Sequence, residues 1–309
     1  MAVSRSKKQA TLIGLVAVLL WSSIVGLIRG VSESFGATGG AALMYTVAAA
    51  LLWLTVGPPR TRALPRAYLI WGSLLFVAYE LCLSLSIGYA NTGRQAIEVG
   101  MVNYLWPSFT MLAAIAFNGQ RANWLVVPGF LLAILGIASV LGGDQGLDLA
   151  GMAGNVQDNP LSYGLAFAGA MIWAGYCTVT SRIAQGKNAV TLFFMLTALA
   201  LWGKYLFTDG ETMVIGLKGI TYLILAACAM GFGYAAWNVG ILQGNVTVLA
   251  GASYFIPVIS AAVAAVLLHA PLSLSFWKGA AMVCAGSILC WLATRGRGTR
   301  GPAASQTRT

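Results

Sequence analysis

Residues 79–107 read YELCLSLSIGYANTGRQAIEVGMVNYLWP. Around this stretch the chain is almost wholly apolar. Within it stand two carboxylates (Glu80 and Glu98), Arg94, the amides Asn91, Gln95 and Asn103, several aromatic rings and the helix-breaking Pro107. A charge in a hydrocarbon-compatible helix costs about 2.5–3.5 kcal/mol on insertion scales, so it faces a pore, a cavity or a partner instead of lipid. The stretch therefore predicts a polar route through a membrane protein.

The composition agrees. Of 309 residues, 59% are hydrophobic and 8% charged, with a mean hydropathy of +0.80. A soluble domain carries about 25% charged residues, so the deficit selects the membrane class. The 37 glycines fit it too, because small residues let membrane helices approach closely. The net charge of +10 invites a nucleic-acid reading. However, Arg5, Lys7, Lys8, Arg60, Arg62, Arg66, Arg295, Arg297 and Arg300 all flank apolar spans and read as topology signals, so no nucleic-acid partner is expected.

Apolar windows long enough to cross about 30 Å number ten. They lie at 9–30, 40–57, 67–89, 95–117, 123–142, 161–184, 190–207, 219–241, 246–268 and 275–294. The runs are continuous instead of alternating, which excludes a β-barrel. The first run, Leu12 to Ile28 after Lys7 and Lys8, passes into Arg29-Gly30 without a cleavage site and reads as a retained span. With the N-terminus inside, thirteen of the eighteen basic residues fall on the inner side, and the segment 143–160 holds Asp144, Asp148 and Asp158 but no Lys or Arg. That bias predicts an external segment there and cytoplasmic termini.

The chain also repeats itself. Asn103-Tyr104-Leu105-Trp106-Pro107 aligns with Ser253-Tyr254-Phe255-Ile256-Pro257 at an offset of 150, which also carries Thr110 onto Ser260, Gly129 onto Gly279 and Gly136 onto Gly286. Leu20-Trp21 aligns with Ile172-Trp173 at 152, and Tyr79 with Tyr234 at 155. Five spans per half is an odd number, so the second half enters the membrane from the opposite side, as in transporters built from inverted repeats. The expected organisation is a five-helix repeat at 1–142, an external loop at 143–160, an inverted five-helix repeat at 161–294 and a disordered cytoplasmic tail at 295–309.

Several chemistries are poorly served. The five cysteines lie in apolar runs without a CxxC pair and read as packing thiols, and the single His269 leaves neither a zinc site nor a serine–histidine triad. No phosphate-binding G-x-x-x-x-G-K-[ST] loop occurs, and no cofactor or metal is expected. Glu80 and Glu98 are the only acids expected within spans, too few for an intramembrane enzyme. No heptad seam predicts a dimer.

The candidate contacts for a cargo follow from helical spacing. Asn103, Pro107 and Thr110 share one face, with Ser253, Pro257 and Ser260 repeating it. Pro107 and Pro257 either kink packed helices or act as hinges lining a route. Glu80 has no basic residue near it on its own helix, and so pairs with a cargo ammonium, exchanges protons, or bonds to hydroxyls. Arg94 stands four residues before Glu98, as a structural pair or an outer gate. Tyr234 and Asn238 are i, i+4 neighbours, and Trp173, Tyr176 and Thr180 form another mixed face. Trp21, Trp106, Trp173 and Trp237 lie deep in their spans, away from the interfacial belt that takes Trp53, Trp124, Trp277 and Trp291. Aromatic walls hold apolar side chains and, through ring faces, cations.

Ten spans in two inverted halves with short loops resemble the EamA-type branch of the drug/metabolite transporter superfamily. The segments Tyr79 to Ala90 and Gln95 to Pro107 resemble its amino acid exporters in particular. The resemblance implies an all-α membrane protein with a central cavity between its halves. It also implies export of aromatic and other bulky neutral amino acids across a bacterial inner membrane by alternating access. Apolar cationic drugs or other small metabolites are the alternative cargo. Such an amino acid needs partners for its two charged ends. Tyr79, Asn103, Tyr234 and Asn238 are placed for them, with Glu80, Tyr176 and Ser253 nearby and Trp21, Trp106 and Trp173 along the side chain. Sugar-phosphate cargo would want mid-membrane Lys or Arg, and the deep spans hold none.

Overall fold

The computed structural model describes residues 6–207 and 212–294. The expected tail at 295–309 lies outside them. Among the described residues every regular element is helical: α1 (Lys7–Ser22), α2 (Ile24–Phe35), α3 (Ala37–Thr55), α4 (Ser73–Gly88), α5 (Gly93–Asn103), α6 (Trp106–Asn118), α7 (Val126–Leu141), α8 (Leu149–Asp158), α9 (Pro160–Ile183), α10 (Val190–Leu206), α11 (Leu217–Gln243), α12 (Val246–Ser253), α13 (Ile256–Leu267) and α14 (Leu274–Thr294).

Local sequence sets the ends. Ser6 caps α1 in a reciprocal pair with Gln9, Thr92 caps α5, and Asp148 caps α8. Each supplies an oxygen to a backbone N–H that a first turn leaves unsatisfied. Gly119, at a φ of 66°, ends α6 in the left-handed conformation that a side chain would disfavour.

Among the described residues, length and apolarity alone make five elements capable of crossing a membrane: Ala37–Thr55, Tyr68–Gly88, Gly93–Asn118, Leu217–Gln243 and Leu274–Thr294. A sixth forms if Lys7–Ser22 and Ile24–Phe35 are taken together across their 43° bend. That bend falls at Ser22-Ser23, whose hydroxyls donate to Val18 O and Leu20 O at 2.7 Å and compete with the helix ladder. Val126–Leu141, Val190–Leu206 and Ile256–Leu267 are apolar but shorter. The segment 143–160, read as a loop, contains a 3-10 turn at Gly143–Gln145 and the helix α8.

The main packing pairs join α7 to α14, α1 to α11, α3 to α10 and α4 to α9. Glycine decides the closest of these. A methyl on Gly129 would lie 3.0 Å from Gly286 O, and one on Gly136 would lie 2.7 Å from Gly279 O. The contacts run in opposite directions along the two helices, so α7 and α14 are antiparallel. The repeat carries Gly129 onto Gly279 and Gly136 onto Gly286, so each crossing contact is the image of the other when the halves are exchanged. In lipid, where helices gain little by hiding from the solvent, such close van der Waals contact is a principal source of association. Large apolar side chains such as Leu12, Phe117, Trp124, Leu131 and Leu199 remain exposed on the outside, as expected of a surface that meets lipid tails instead of water.

Candidate functional site

The two halves meet around a cavity of about 320 Å³. Its polar focus is Glu80 on α4, which is completely buried. Tyr45 donates its hydroxyl to Glu80 Oε2 at 2.6 Å, and Tyr234, from the other half, donates to Oε1 at 2.8 Å. Ser84 donates to the Tyr45 hydroxyl oxygen at 3.2 Å. Among the described residues no Lys or Arg lies within salt-bridge distance of Glu80. Two phenols satisfy one lone pair on each oxygen, and a carboxylate offers about four such sites. Acceptor capacity is therefore left facing the cavity.

The walls are aromatic and come in two related pairs. On one side Trp173 of α9 lies over Tyr79 with ring centroids 4.4 Å apart. On the other, Trp21 of α1 meets Tyr234 of α11 edge-on at 5.1 Å. The offsets of 152 and 155 carry Trp21 onto Trp173 and Tyr79 onto Tyr234, so exchanging the halves turns one pair into the other. Trp237 packs on Trp21 at 5.1 Å and Trp106 meets Trp173 at 6.4 Å, extending both walls. Asn103 also lines the cavity. Its amide donates to the Tyr79 hydroxyl at a long 3.5 Å, while its buried Oδ1 has no partner. A buried unpaired oxygen costs about 1–3 kcal/mol unless something supplies a donor.

Seven of the ten residues expected to touch a cargo thus line one cavity: Trp21, Tyr79, Glu80, Asn103, Trp106, Trp173 and Tyr234. Three do not. Tyr176 stacks behind Trp173 at 4.8 Å and packs on Phe76. Asn238 is half-buried on α11 away from the lining. Ser253 falls in a separate cleft, of about 10 Å³, with Pro107 and Pro257, and its hydroxyl donates to Ala250 O at 2.8 Å. The sequence missed Tyr45, whose only signal was a phenol in the middle of an apolar run. Its partner lies 35 positions away.

The prolines do not interrupt helices from within. Both apolar spans stop and restart: α5 ends at Asn103 and α6 begins at Trp106, while α12 ends at Ser253 and α13 begins at Ile256. Pro107 and Pro257 sit in the first turn of the new helices, where a missing N–H costs nothing. The two breaks fall at the same offset of 150.

At the end of the bundle carrying the segment 143–160, polar groups form a connected layer. Arg94 donates to Glu98 Oε1 at 3.2 Å and to Asp144 Oδ1 at 2.8 Å, and Tyr163 of α9 donates to Glu98 Oε2 at 2.8 Å. Asn91 and Gln95 each donate to Asp158 Oδ2 at 3.0 Å. The Arg94–Glu98 pair read locally from the sequence is thus part of a tie joining α5 to α9 and to the 143–145 turn. Hydrogen bonding from Arg94 holds the Asp144 carboxyl below the usual aspartate range. Among the described residues no group of three His, Cys, Asp or Glu stands close enough to hold a metal ion.

Residues 160–292 match the EamA-like transporter family. The chain is 60% identical to the aromatic amino acid exporter YddG of Escherichia coli over 290 residues, covering 94% of this chain and 99% of that protein. It is equally identical to the protein of the same name in Salmonella typhimurium over 292 residues, 94% of this chain and 100% of that one. A probable terminal-alkyne amino-acid exporter of Streptantibioticus cattleyicolor shares 24% identity over 300 residues, 91% of this chain and 93% of its own. A protein of known crystal structure superposes with a TM-score of 0.65 at 23% identity, over 95% of this chain and 100% of its own, and shares the fold.

Proposed function

The chain belongs to the EamA-like transporter family, and from that premise we propose that it exports aromatic and other bulky neutral amino acids across a bacterial inner membrane by alternating access. The observation that carries the reading is the cavity itself, which two Trp–Tyr pairs matched by sequence offset line beside one buried acid. A neutral amino acid brings an ammonium for Glu80 and the free Asn103 Oδ1. Its carboxylate finds donors in the indole N–H groups of the walls, and its apolar side chain lies between the rings. An aromatic pair contributes about 0.5–1.5 kcal/mol beyond burial, so flanking rings favour aromatic cargo over small residues. The export named for relatives at 60% identity supports this choice.

The proposed architecture has ten spans in two inverted repeats, 1–142 and 161–294, with both termini cytoplasmic. Antiparallel packing of α7 on α14, helices that correspond in the repeat, supports the inversion. Alternating access then becomes rocking of one half on the other around a fixed site. The helix breaks at Tyr104-Leu105 and Tyr254-Phe255 serve as hinges. The Arg94–Glu98–Asp144–Tyr163 tie serves as an outer gate, closed in this conformation. Positive residues at the opposite end, including Arg60, Arg62, Arg66, Arg121, Arg182 and Lys187, support a cytoplasmic placement for that end.

Flux in sealed proteoliposomes tests the reading. Phenylalanine, tryptophan, methionine and leucine should move saturably above empty vesicles and faster with amino acid on the opposite side. Absence of such flux for all four would sink it, and inhibition by lipophilic cations without any amino acid flux would favour the drug-exporter alternative.

A further inference from the structure

We infer that Gly233 is a specificity-determining residue: a notch that seats the Trp21 indole against α11 and thereby sets how large a cargo side chain the cavity accepts. The inference rests on the amino acid reading above.

A methyl built on Gly233 would lie 2.7 Å from Trp21 Nε1, 2.9 Å from Cδ1 and 3.5 Å from Cε2. Those three nearest atoms all belong to one cavity-lining indole, and none is backbone. Gly240, one to two turns along the same helix face, behaves differently: a methyl there would meet the Gly14 Cα at 2.7 Å. Gly240 therefore lets two helices cross, whereas Gly233 accommodates a ring.

The indole has little freedom to slide sideways. Tyr234, next in the chain, and Trp237, one turn on from Gly233, flank it with ring centroids 5.1 Å away each. Together with Gly233 they form a saddle on α11, and all three rings wall the cavity. A side chain at 233 leaves Trp21 one direction of retreat, away from α11 and into the space a cargo would fill. The other half supports this. The offset relating Tyr79 to Tyr234 places Ala78 opposite Gly233, so the corresponding position already holds a methyl, and there Trp173 lies directly over the Tyr79 ring at 4.4 Å. The wall that lacks the methyl has the wider Trp–Tyr separation, 5.1 Å against 4.4 Å.

Room at a hydrophobic wall is read at about 10- to 200-fold per methylene. Gly233→Ala is therefore expected to weaken tryptophan binding about tenfold, phenylalanine less, and leucine less than about twofold. Calorimetric titration of the purified protein with each amino acid measures this. In a Trp21→Ala background the same Gly233→Ala change should be nearly silent, because no ring is left to meet the notch. Equal weakening of all three amino acids, no change in any, or an undiminished effect without the indole would each overturn the inference. A second arm needs no cargo. In protein carrying 5-fluorotryptophan, the Trp21 fluorine resonance, assigned by its loss in Trp21→Phe, should move in Gly233→Ala. An unmoved resonance overturns the notch. Wild-type protein that binds none of the three amino acids overturns the transport reading instead, and the resonance then decides the notch alone.

Discussion

In the N-terminal half the cavity wall is built from Tyr79, Glu80 and Asn103. In the C-terminal half the positions at the same offsets hold Tyr234, Ala235 and Ser253. The rings correspond, but the acid and the amide do not. At the α7–α14 crossing the halves correspond glycine for glycine, with approaches of 2.5–3.0 Å from an added methyl to the facing glycine carbonyl. The difference separates two demands. Under the proposed alternating access, surfaces that rock on each other and interconvert need matching shapes. A cargo with one ammonium needs one acid, and a second buried acid would stand unpaired at a cost of several kcal/mol.

The largest expected effect breaks the matched region. Gly136→Val and Gly279→Val each place side-chain atoms against backbone that cannot yield, and overpacking of this kind costs about 1–3 kcal/mol or more. Both variants should lower the thermal midpoint of the purified protein by similar amounts. A large effect from one and none from the other would show that the crossing is not symmetric.

The unmatched region gives the next effect. Hydrogen bonds to charged groups contribute about 1.5–3 kcal/mol, so Glu80→Gln should reduce amino acid affinity about 10- to 100-fold, while Ala235→Ser changes it little. Titrating each variant with phenylalanine measures the contrast, and wild-type affinity in Glu80→Gln would remove the acid from recognition. The helix breaks sharpen the same comparison. Pro107→Ala and Pro257→Ala should each slow turnover severalfold with less effect on affinity, because both prolines start a new helix at the same offset. Unchanged turnover with weakened binding would make them lining without movement.

Smaller still is the contrast between the two cavity tyrosines. Tyr234→Phe removes a 2.8 Å bond to Glu80, and Tyr79→Phe removes only a 3.5 Å contact with Asn103. The first should cost severalfold in affinity and the second less than about twofold, since an ordinary hydrogen bond nets about 1 kcal/mol. Equal losses would mean that Tyr79 touches cargo directly. The least effect concerns pH at the Arg94–Asp144 end. The Asp144 carboxyl is held below its ordinary value by Arg94, so its bond is complete above the usual aspartate range, near about 4, and is lost as pH falls through the lowered value. Reduced hydrogen-exchange protection, relative to the intrinsic rate, at residues 143–148 in acid, with the pH dependence abolished by Asp144→Asn, is the expected signature. Because the pair is exposed, added salt should weaken it as well.

Much of this was written in the chain itself. Continuous apolar runs dictate helices because a backbone in lipid must satisfy its own hydrogen bonds. The paired Trp, Tyr, Gly and Pro positions gave the offsets on which the proposal of two related halves rests, and a lone acid among hydrocarbon singled out Glu80, which the fold places in the cavity wall. Helical spacing put Asn103 and Pro107 on one face, but the break at 104–105 leaves Asn103 in the cavity wall and sends Pro107 to the small cleft. Tertiary structure decided what those patterns could not. It brought Tyr45 and Tyr234 onto Glu80 from 35 and 154 positions away. It turned the expected kinks into clean helix breaks, sent Ser253 to another cleft, and set Tyr176 behind the wall. Spacing along one helix reports which residues share a face, whereas the partner of that face is fixed only when distant segments pack. For the same reason Gly233 read as one more small residue until the indole of Trp21 was found lying against it.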